Sequence, residues 1–347
     1  MFDRIVSALV AALVCSAGGT VFYFLHTPLP WMLGSLTASG LLAIAGGRWF
    51  LPPAARGLAR PVVGVLAGSA FTADVVASAP GWWDAILVVV AQGLAVMLIG
   101  YVFYRRAAGY DRQTAMFSAT PGGLGEMALL GASLGGDVRV IVMSQTLRIV
   151  LVLFAMPVIL QFIVGHPIGR TLPTPASGVP PVAFDWAVLA LCALAGYILG
   201  RVTKFGAGLM IFPLLLSASV HATGVTGAVP PAWLVALVQI AIGGVVGARF
   251  AGIRWGVMAN ALAFGAVWAA AMVALTAATA YGAASLLGRS FAAMILALAP
   301  GGTVEMTILT LSIGIEVAFV ATCQVMRILC VLLLTPMVFN LIARNRV

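Results

Sequence analysis

Charged side chains are scarce in this sequence of 347 residues. Only 8% of the residues are charged, whereas 63% are hydrophobic, and the mean hydropathy is +1.14. A chain of this length with so little polar surface cannot dissolve in water as a globular protein. The composition therefore excludes a soluble enzyme or binding domain. It predicts a polytopic membrane protein whose main partner is the lipid bilayer.

Polar interruptions are rare as well, so the apolar runs are long. A membrane-spanning helix needs about 20 predominantly apolar residues. Near-continuous apolarity favours helices, because the strands of a membrane barrel alternate between apolar and polar residues. The sequence thus predicts an all-α membrane protein. Its clearest spans are Ile5–Phe24, Leu29–Gly47, Trp82–Tyr104, Val138–Val164, Trp186–Gly200, Val257–Tyr281 and Val317–Ile342.

Cysteine and histidine are few, with four and three residues respectively. The cysteines lack the spacing of metal or disulfide motifs and are expected to be small buried apolar side chains. The histidines are isolated, whereas a copper or iron oxygenase needs clustered His or carboxylate ligands. The sequence has no Ser/His/Asp arrangement, Walker loop or zinc motif. We therefore expect no enzymatic activity, no catalytic residue, no metal site and no cofactor.

Basic runs are short, although the formal net charge is +9. No run exceeds Arg105-Arg106, so the positive charge does not indicate a nucleic-acid partner. Cytoplasmic loops of membrane proteins collect Lys and Arg. The basic residues are therefore informative about topology instead.

One unusual pattern occurs twice in this apolar chain. Pro-Gly-Gly at 121–123 precedes Glu126, and Pro-Gly-Gly at 300–302 precedes Glu305 at the same spacing. A shift of 179 positions superposes the two, and it also pairs Gly64 with Gly243, Gly68 with Gly247, Gln145 with Gln324, Arg148 with Arg327 and Pro157 with Pro336. The sequence thus predicts a duplication, with a first membrane repeat at 1–164, a Pro-rich linker at 165–185 and a second repeat at 186–347.

The Pro-Gly-Gly sequence breaks a helix, because proline lacks an N–H and glycine has low helix propensity. Residues 113–136 and their counterparts are therefore expected to form two half-helices around a break. If both copies cross the membrane, each half has six spans and the halves are parallel. If both turn back as re-entrant hairpins, each half has five spans and the second half is inverted.

Loop charge favours the inverted arrangement, with both termini in the cytoplasm and the linker in the periplasm. Fourteen of the eighteen Lys and Arg residues are then cytoplasmic. Arg170 and Arg289 lie outside, and Arg148 and Arg327 lie within the membrane. The weakest span is Leu58–Thr72, which is short and whose glycines suggest tight packing or a broken helix. Inverted repeats with interrupted helices are typical of secondary transporters.

The motif has chemical consequences in each half. The segment after the break presents unpaired N–H donors and the positive end of a helix dipole. A glutamate near its start, at membrane depth, binds a cation, carries a proton or pairs with a base. Nineteen residues after each glutamate comes a Gln-x-x-Arg motif, whose two side chains share one helix face.

Two interpretations of these residues remain open. In the first, the two glutamates form buried ion pairs with Arg148 and Arg327 that only fix the packing. In the second, arginines or helix ends hold an anion and glutamate carries the coupling ion. The candidate pathway residues are Pro121, Gly122, Gly123, Glu126, Gln145, Arg148, Pro300, Gly301, Gly302, Glu305, Gln324 and Arg327. Asp137 and its counterpart Glu316 are expected to cap or flank the helices that follow them.

The duplicated Pro-Gly-Gly-x-x-Glu-Met, the two Gln-x-x-Arg motifs, the Pro-Trp-Met-Leu-Gly at 30–34 and the chain length resemble the bacterial AbrB-type membrane proteins. The resemblance covers essentially the whole chain. It implies a multi-pass protein of the bacterial inner membrane with an internal duplication, described as transporter-like or as a regulator of gene expression. An older label of the family, ammonia monooxygenase, has no matching metal ligands in this sequence.

We therefore expect a secondary transporter of a small organic anion or other small metabolite, which works by alternating access and is coupled to protons or sodium. The alternative is a membrane-embedded regulator or interaction protein of gene expression, and a membrane monooxygenase comes third. A homodimer is expected by analogy with other repeat transporters. Because Leu124-Gly125 becomes Thr303-Val304 in the second copy, the two half-sites are not expected to be equivalent.

Overall fold

The computed structural model describes residues 2–164, 181–203, 207–252 and 255–344, and in these ranges the chain is helical, without strands. The all-α prediction is thus confirmed. The helices are α1 Phe2–Phe24, α2 Pro30–Ile44, α3 Pro53–Gly68, α4 Ala73–Ser78, α5 Trp83–Arg106, α6 Arg112–Ala119, α7 Leu124–Ser133, α8 Val138–Val164, α9 Ala183–Val202, α10 Gly208–Ala222, α11 Ala232–Gly247, α12 Trp255–Leu287, α13 Phe291–Leu298, α14 Thr303–Ile313 and α15 Val317–Arg344.

Seven helical stretches in the described part of the chain are long and apolar enough to cross a membrane. They are Val6–Phe24, Ala73–Arg106, Val138–Ile163, Ala183–Val202, Ala232–Phe250, Ala259–Leu287 and Val317–Phe339. Large apolar side chains are mostly exposed on several of them, such as Leu13, Phe162 and Leu286. Exposed apolar faces of this size belong in lipid rather than in water. A multi-pass membrane protein is therefore the class that the helices fit.

The predicted span Leu29–Gly47 differs from the structure. There α2 has only 15 residues and is about 22 Å long, less than the roughly 30 Å of a hydrocarbon core. Pro30 occupies the first helical position, where its missing N–H is harmless, and Gly46 beyond the helix has a φ of +79°. Conversely, Ala232–Phe250 is long enough to span, although it was not among the clearest predicted spans.

The first compact unit combines the segments Met1–Ala79, Met156–Ile253 and Val304–Ala318. Here α2 packs against α1 and α11, while α10 packs against α9 and α3. Close approach of these helices depends on glycine. A Cβ on Gly64 of α3 would lie 2.4 Å from the Met210 carbonyl oxygen of α10. The tight packing expected from the glycines of Leu58–Thr72 is therefore confirmed, in a helix that ends at Gly68.

The second compact unit combines Pro80–Ala155, Arg254–Thr303 and Phe319–Val347. Here α5 packs against α6, α12 and α13, and α6 contacts α7. A polar contact joins α5 to α12, since the Gln92 amide donates to the Thr276 hydroxyl at 3.0 Å. Aromatic packing accompanies it, with Phe103 stacked on Trp268. This unit contains the whole of the first helix break and the first half of the second.

Each unit contains segments from both predicted repeats, so the division into units does not test where the repeats begin and end. The repeat boundaries at 164 and 186 therefore stay predictions. The predicted linker 165–185 falls outside the described residues apart from 181–185, where α9 begins at Ala183.

Candidate functional site

The first break separates α6 from α7, as the Pro-Gly-Gly sequence predicted. Asp111 is the N-cap of α6. Its carboxylate accepts hydrogen bonds from the Thr114 N–H at 2.6 Å and from the Thr114 hydroxyl at 2.8 Å. Thr120 leaves the helix with φ −65° and ψ 125°, the extended conformation that a residue before proline prefers. Gly123 then precedes the first turn of α7. The last carbonyl groups of α6 consequently lack partners within their own helix.

Gln145 and Arg148, both on α8, supply those partners. The Gln145 amide donates to the carbonyl oxygens of Phe117 at 2.7 Å and Thr120 at 2.9 Å. The Arg148 guanidinium donates through Nη1 to Thr120 at 3.0 Å and through Nη2 to the Gly122 carbonyl at 3.2 Å. Both side chains are buried. The Gln-x-x-Arg motif thus closes the carbonyl end of the first broken helix.

The second break repeats this arrangement between α13 and α14. The Gln324 amide donates to the Leu296 carbonyl at 2.6 Å, and Arg327 Nη1 donates to the Ala299 carbonyl at 2.5 Å. Arg327 Nη2 lies 3.4 Å from the Gly301 carbonyl oxygen and also donates to the Gln324 amide oxygen. Each Gln-x-x-Arg motif thus donates hydrogen bonds to the carbonyl oxygens of the break in its own half of the sequence.

The two arginines lie in the second compact unit, 3% and 2% exposed. Among the described residues, neither guanidinium has a carboxylate within ion-pair distance. Ion pairs of the glutamates with Arg148 and Arg327, one of the two interpretations of the sequence, are therefore wrong. Both guanidiniums point toward the carbonyl end of a helix, which attracts positive charge.

Glu305 has a different partner, which the sequence analysis missed. Its side chain is fully buried in the first turn of α14, and Oε1 accepts a hydrogen bond from Arg56 Nη2 at 2.6 Å. Arg56 lies on α3, in the same compact unit. The guanidinium of Arg249 is within electrostatic range of the pair. In the sequence, Arg56 lies just before the predicted span Leu58–Thr72, and the loop-charge argument counted it among the cytoplasmic basic residues.

Glu126 lacks such a partner. It lies in the first turn of α7, partly exposed, and no ion pair joins it to any residue that the structure describes. Its carboxylate folds back over Gly123, where a Cβ would lie 2.0 Å from Oε2. The shift of 179 places Val235 at the position that corresponds to Arg56, so the first copy has no matching cation. The two half-sites therefore differ in the pairing of their glutamates. The sequence predicted unequal half-sites, but from the change of Leu124-Gly125 to Thr303-Val304 and not from this pairing.

Asp137 caps α8, as expected. Its carboxylate accepts from the Arg139 N–H at 2.9 Å, and its own N–H donates to the Thr114 hydroxyl of α6 at 2.8 Å. Burial raises the pKa of nearby Tyr110, and the negative charge of Asp137 raises it further. Glu316 directly precedes α15 with a φ of +39°, which places it at a helix start as well. Neither acidic residue belongs to a break.

The buried histidine and the cysteines have structural surroundings. His221 is buried in the last turn of α10, with ring nitrogens 2.7 Å and 2.9 Å from the carbonyl oxygens of Ser217 and Ala228. Three of the four cysteines are buried and all are free. In the described ranges, no three His, Cys, Asp or Glu side chains gather as a metal-binding group.

The apolar helices and the two breaks define a class: a multi-pass helical membrane protein with interrupted helices. The family follows from comparison. The chain belongs to the AbrB family, because the family model described as "Transition state regulatory protein AbrB" matches residues 31–343. The resemblance noted in the sequence is thus confirmed.

Two relatives match nearly the whole chain. "Uncharacterized protein YhjN" of Bacillus subtilis (strain 168) is 24% identical over 352 aligned residues, which cover 95% of this chain and 91% of the relative. "Putative regulator AbrB" of Escherichia coli (strain K12) is 22% identical, over 96% of this chain and 95% of the relative. The similarity extends across both breaks and so is not confined to one half of the chain.

Proposed function

We propose that the protein is a secondary transporter of a small organic anion, works by alternating access and couples transport to protons or sodium. The observation that carries this proposal is the pair of buried guanidiniums, Arg148 and Arg327, in one compact unit. An isolated buried ion costs several kcal/mol. The carbonyl end of a helix offers only about half an elementary charge. Two guanidiniums therefore leave a positive surplus, which attracts an anion.

The N-terminus of α7, in the same compact unit, adds to this surplus. It begins directly after a Pro-Gly-Gly break, and its first N–H groups have no partner within the helix. Helix N-termini bind anions for this reason. In secondary transporters, half-helix ends of this kind hold anionic substrate groups near the bilayer midplane.

A duplicated, inverted architecture of five plus five spans is part of the proposal. Its support comes from helix bounds that recur at the offset of 179 residues. When the bounds of α3 and α6 are shifted by this offset, they coincide with those of α11 and α13. Further support comes from packing within the first compact unit. There α2 packs on α1 and α11, and its counterpart α10 packs on α9 and α3. This is the same pattern with the two halves exchanged.

Glu126 is the proposed coupling residue. Glu305 already has Arg56 as a counter-ion at 2.6 Å, so its carboxylate is engaged in an ion pair within the protein. Glu126 has no such cation in the described chain and is partly exposed, so a proton or a sodium ion can reach it. In this proposal Glu126 carries the coupling ion, whereas Glu305 has a packing role through Arg56.

Flux through reconstituted protein tests the proposal. Purified protein in proteoliposomes is given a proton or sodium gradient and a panel of labelled small anions. We expect protein-dependent uptake of at least one anion, reduced by an order of magnitude or more in Arg148→Gln. The matched control is Arg139→Gln, which removes an exposed arginine from the same helix. No uptake of any anion under either gradient would reject transport.

The alternative is a membrane-embedded regulator or interaction protein, and its support is the name "Putative regulator AbrB" of the E. coli relative. It predicts a soluble partner recovered by crosslinking together with no flux. Stoichiometric copper or iron in the purified protein would revive the third possibility, a monooxygenase. As part of the transport proposal, we also propose that the protein lies in the bacterial inner membrane and forms a homodimer.

A further inference from the structure

An apolar groove lies on the first compact unit, and none of the residues that line it belongs to a break. Its volume is about 200 Å³, and every side chain that lines it is apolar or a tryptophan. Val65 of α3 and Leu189 of α9, both buried, form its floor, and the first turns of α9 and α11 form its rims. A charged ligand would lose its hydration there without gaining a hydrogen bond. The groove therefore suits an apolar ligand and not the proposed anion.

The groove opens on the outer surface of the helices. Both α9 and α11 pack on α3, which lies beneath the groove. Leu194 follows the lining residue Ala190 by four positions, and Leu237 follows the lining residue Trp233 by the same spacing, so each shares a helix face with the groove. Both leucines are exposed. Because exposed apolar faces of spanning helices contact lipid, the groove is continuous with the lipid-facing surface.

Two tryptophans stand at one end of the groove. Trp186 lies in the first turn of α9 and Trp233 in the first turn of α11, with exposed fractions of 39% and 65%. Tryptophan is enriched where a membrane meets water. From Trp186 the groove extends to Ala193, which is about 10 Å further along α9. The groove is therefore elongated and leads from the membrane surface toward the bilayer interior, as an acyl chain does.

The first half of the chain shows what fills the corresponding space. At the offset of 179 residues, the lining residue Val65 corresponds to Gly244 of α11, and the lining residue Pro230 corresponds to Leu51. A Cβ on Gly244 would lie 2.6 Å from Leu51 Cδ1, so the Leu51 side chain covers α11 at this point. In the second half, proline replaces that leucine and the groove stays open. An aliphatic group of the protein thus fills one of the two corresponding positions.

We propose that this groove binds one acyl chain of a membrane phospholipid, with the headgroup beside Trp186 and Trp233 and the chain between α9 and α11. An apolar cavity of about 150 Å³ binds a benzene molecule and stays dry. The groove, at about 200 Å³, has room for several methylene groups. Lipid tails are as apolar as its walls, so binding comes from the van der Waals packing of one chain against a preformed surface.

Photolabelling in proteoliposomes tests the proposal. Phosphatidylcholine with a diazirine in the middle of one acyl chain is included as a minor component of the bilayer, and labelled residues are located by mass spectrometry after irradiation. Residues of the groove should be labelled at least fivefold more than Leu13 of α1 and Leu286 of α12, which are exposed on other helices. Labelling of the groove no higher than at these two leucines would indicate bulk lipid only and overturn the proposal.

Two variants fill the groove. Ala193→Phe adds an aromatic ring to its lining, and Pro230→Leu supplies the leucine that the other half of the chain has at this position. Each should lower labelling of the groove at least fivefold. The matched control is Ala187→Phe, which is exposed on α9 outside the lining and should leave the labelling unchanged. If Ala193→Phe does not fold, Pro230→Leu decides alone. Unchanged labelling in the filled variants would contradict the assignment.

A second copy of this chain is the other occupant that the measurements distinguish. Size-exclusion chromatography with light scattering gives the oligomeric state of the same variants in detergent. A dimer that dissociates in Ala193→Phe and Pro230→Leu but persists in Ala187→Phe, without excess labelling of the unmodified protein, would replace the lipid by a subunit contact and overturn the proposal. Neither measurement depends on flux, so the lipid groove and the transport proposal can fail separately.

Discussion

At the scale of single residues, Arg56 and Glu305 form a buried ion pair within the first compact unit. Its 2.6 Å hydrogen bond joins α3 to the first turn of α14. Desolvating two charges is costly, so such a pair contributes little compared with an apolar pair, but losing one partner leaves the other charge buried and alone. The pair therefore fixes the position of α3 relative to α14 but adds little to the net free energy of unfolding.

We expect Glu305→Gln to lower the free energy of unfolding by about 3–5 kcal/mol, because Arg56 would remain buried without a counter-ion. The double variant Arg56→Gln with Glu305→Gln should recover part of that loss. Chemical denaturation in detergent micelles measures both. A double variant no more stable than Glu305→Gln would contradict the pairing as the cause.

Glu126→Gln should have a different result. The change keeps size and hydrogen-bonding capacity and leaves no buried charge behind, so folding and membrane insertion should be nearly unchanged. The pH or sodium dependence of flux should be lost, because the side chain no longer titrates or binds a cation. Initial rates across a pH and sodium series in proteoliposomes measure this. Dependence retained in Glu126→Gln would exclude this glutamate as the coupling residue.

The sequence identified the residues of the breaks but not their partners. Two spacings, five residues from proline to glutamate and nineteen from glutamate to glutamine, singled out the glutamates and the Gln-x-x-Arg motifs. Spacing within one helix says which side chains share a face, but the partner of that face depends on tertiary packing. Val235 at the position corresponding to Arg56 is the sequence feature that could have shown the glutamates to differ.

At the scale of helices, the breaks are stable because side chains replace the missing helical hydrogen bonds. The Gln324 amide and the Arg327 guanidinium together satisfy carbonyl oxygens at the end of α13. An unsatisfied buried polar group costs about 1–3 kcal/mol. The motif therefore stabilises the broken helix whether or not a substrate is present.

Gln324→Leu tests this capping role. The variant keeps a similar volume but leaves the Leu296 carbonyl without its donor, so unfolding should become easier by about 1–3 kcal/mol. Hydrogen exchange should increase at α13 and stay unchanged at α6, whose carbonyl oxygens are served by Gln145. Unchanged stability and unchanged exchange at α13 would show that Arg327 alone suffices.

Glycines on α3 give a matched pair for helix packing. Gly64→Ala would place a Cβ 2.4 Å from the Met210 carbonyl oxygen, whereas Gly57→Ala meets nothing within 4 Å. We expect Gly64→Ala to cost about 1–3 kcal/mol through overpacking. Gly57→Ala should instead be neutral or stabilise by up to about 1 kcal/mol, because alanine has the higher helix propensity. Thermal unfolding measures both, and equal effects would contradict the close packing of α3 on α10.

At the scale of the whole molecule, the sequence predicted the helices much better than their grouping. Apolar length fixes where a helix can cross lipid, and Pro-Gly-Gly fixes where it breaks. The compact units could not be foreseen, because each of them draws segments from both halves of the chain. Pairing between distant helices depends on complementary shapes such as Gly64 against Met210, and hydropathy does not record shape.

Topology is the last whole-molecule question, and loop charge predicts cytoplasmic termini and a periplasmic linker. Cysteines introduced at Ser177 and Asn345, both outside the described residues, probe the two locations, since three of the four native cysteines are buried. In intact spheroplasts, Ser177→Cys should react with an impermeant thiol reagent and Asn345→Cys should react only after lysis. That pattern requires an odd number of crossings between the two positions, as five spans and a re-entrant break provide. If both cysteines are protected, the number is even, the breaks cross the membrane and the halves are parallel.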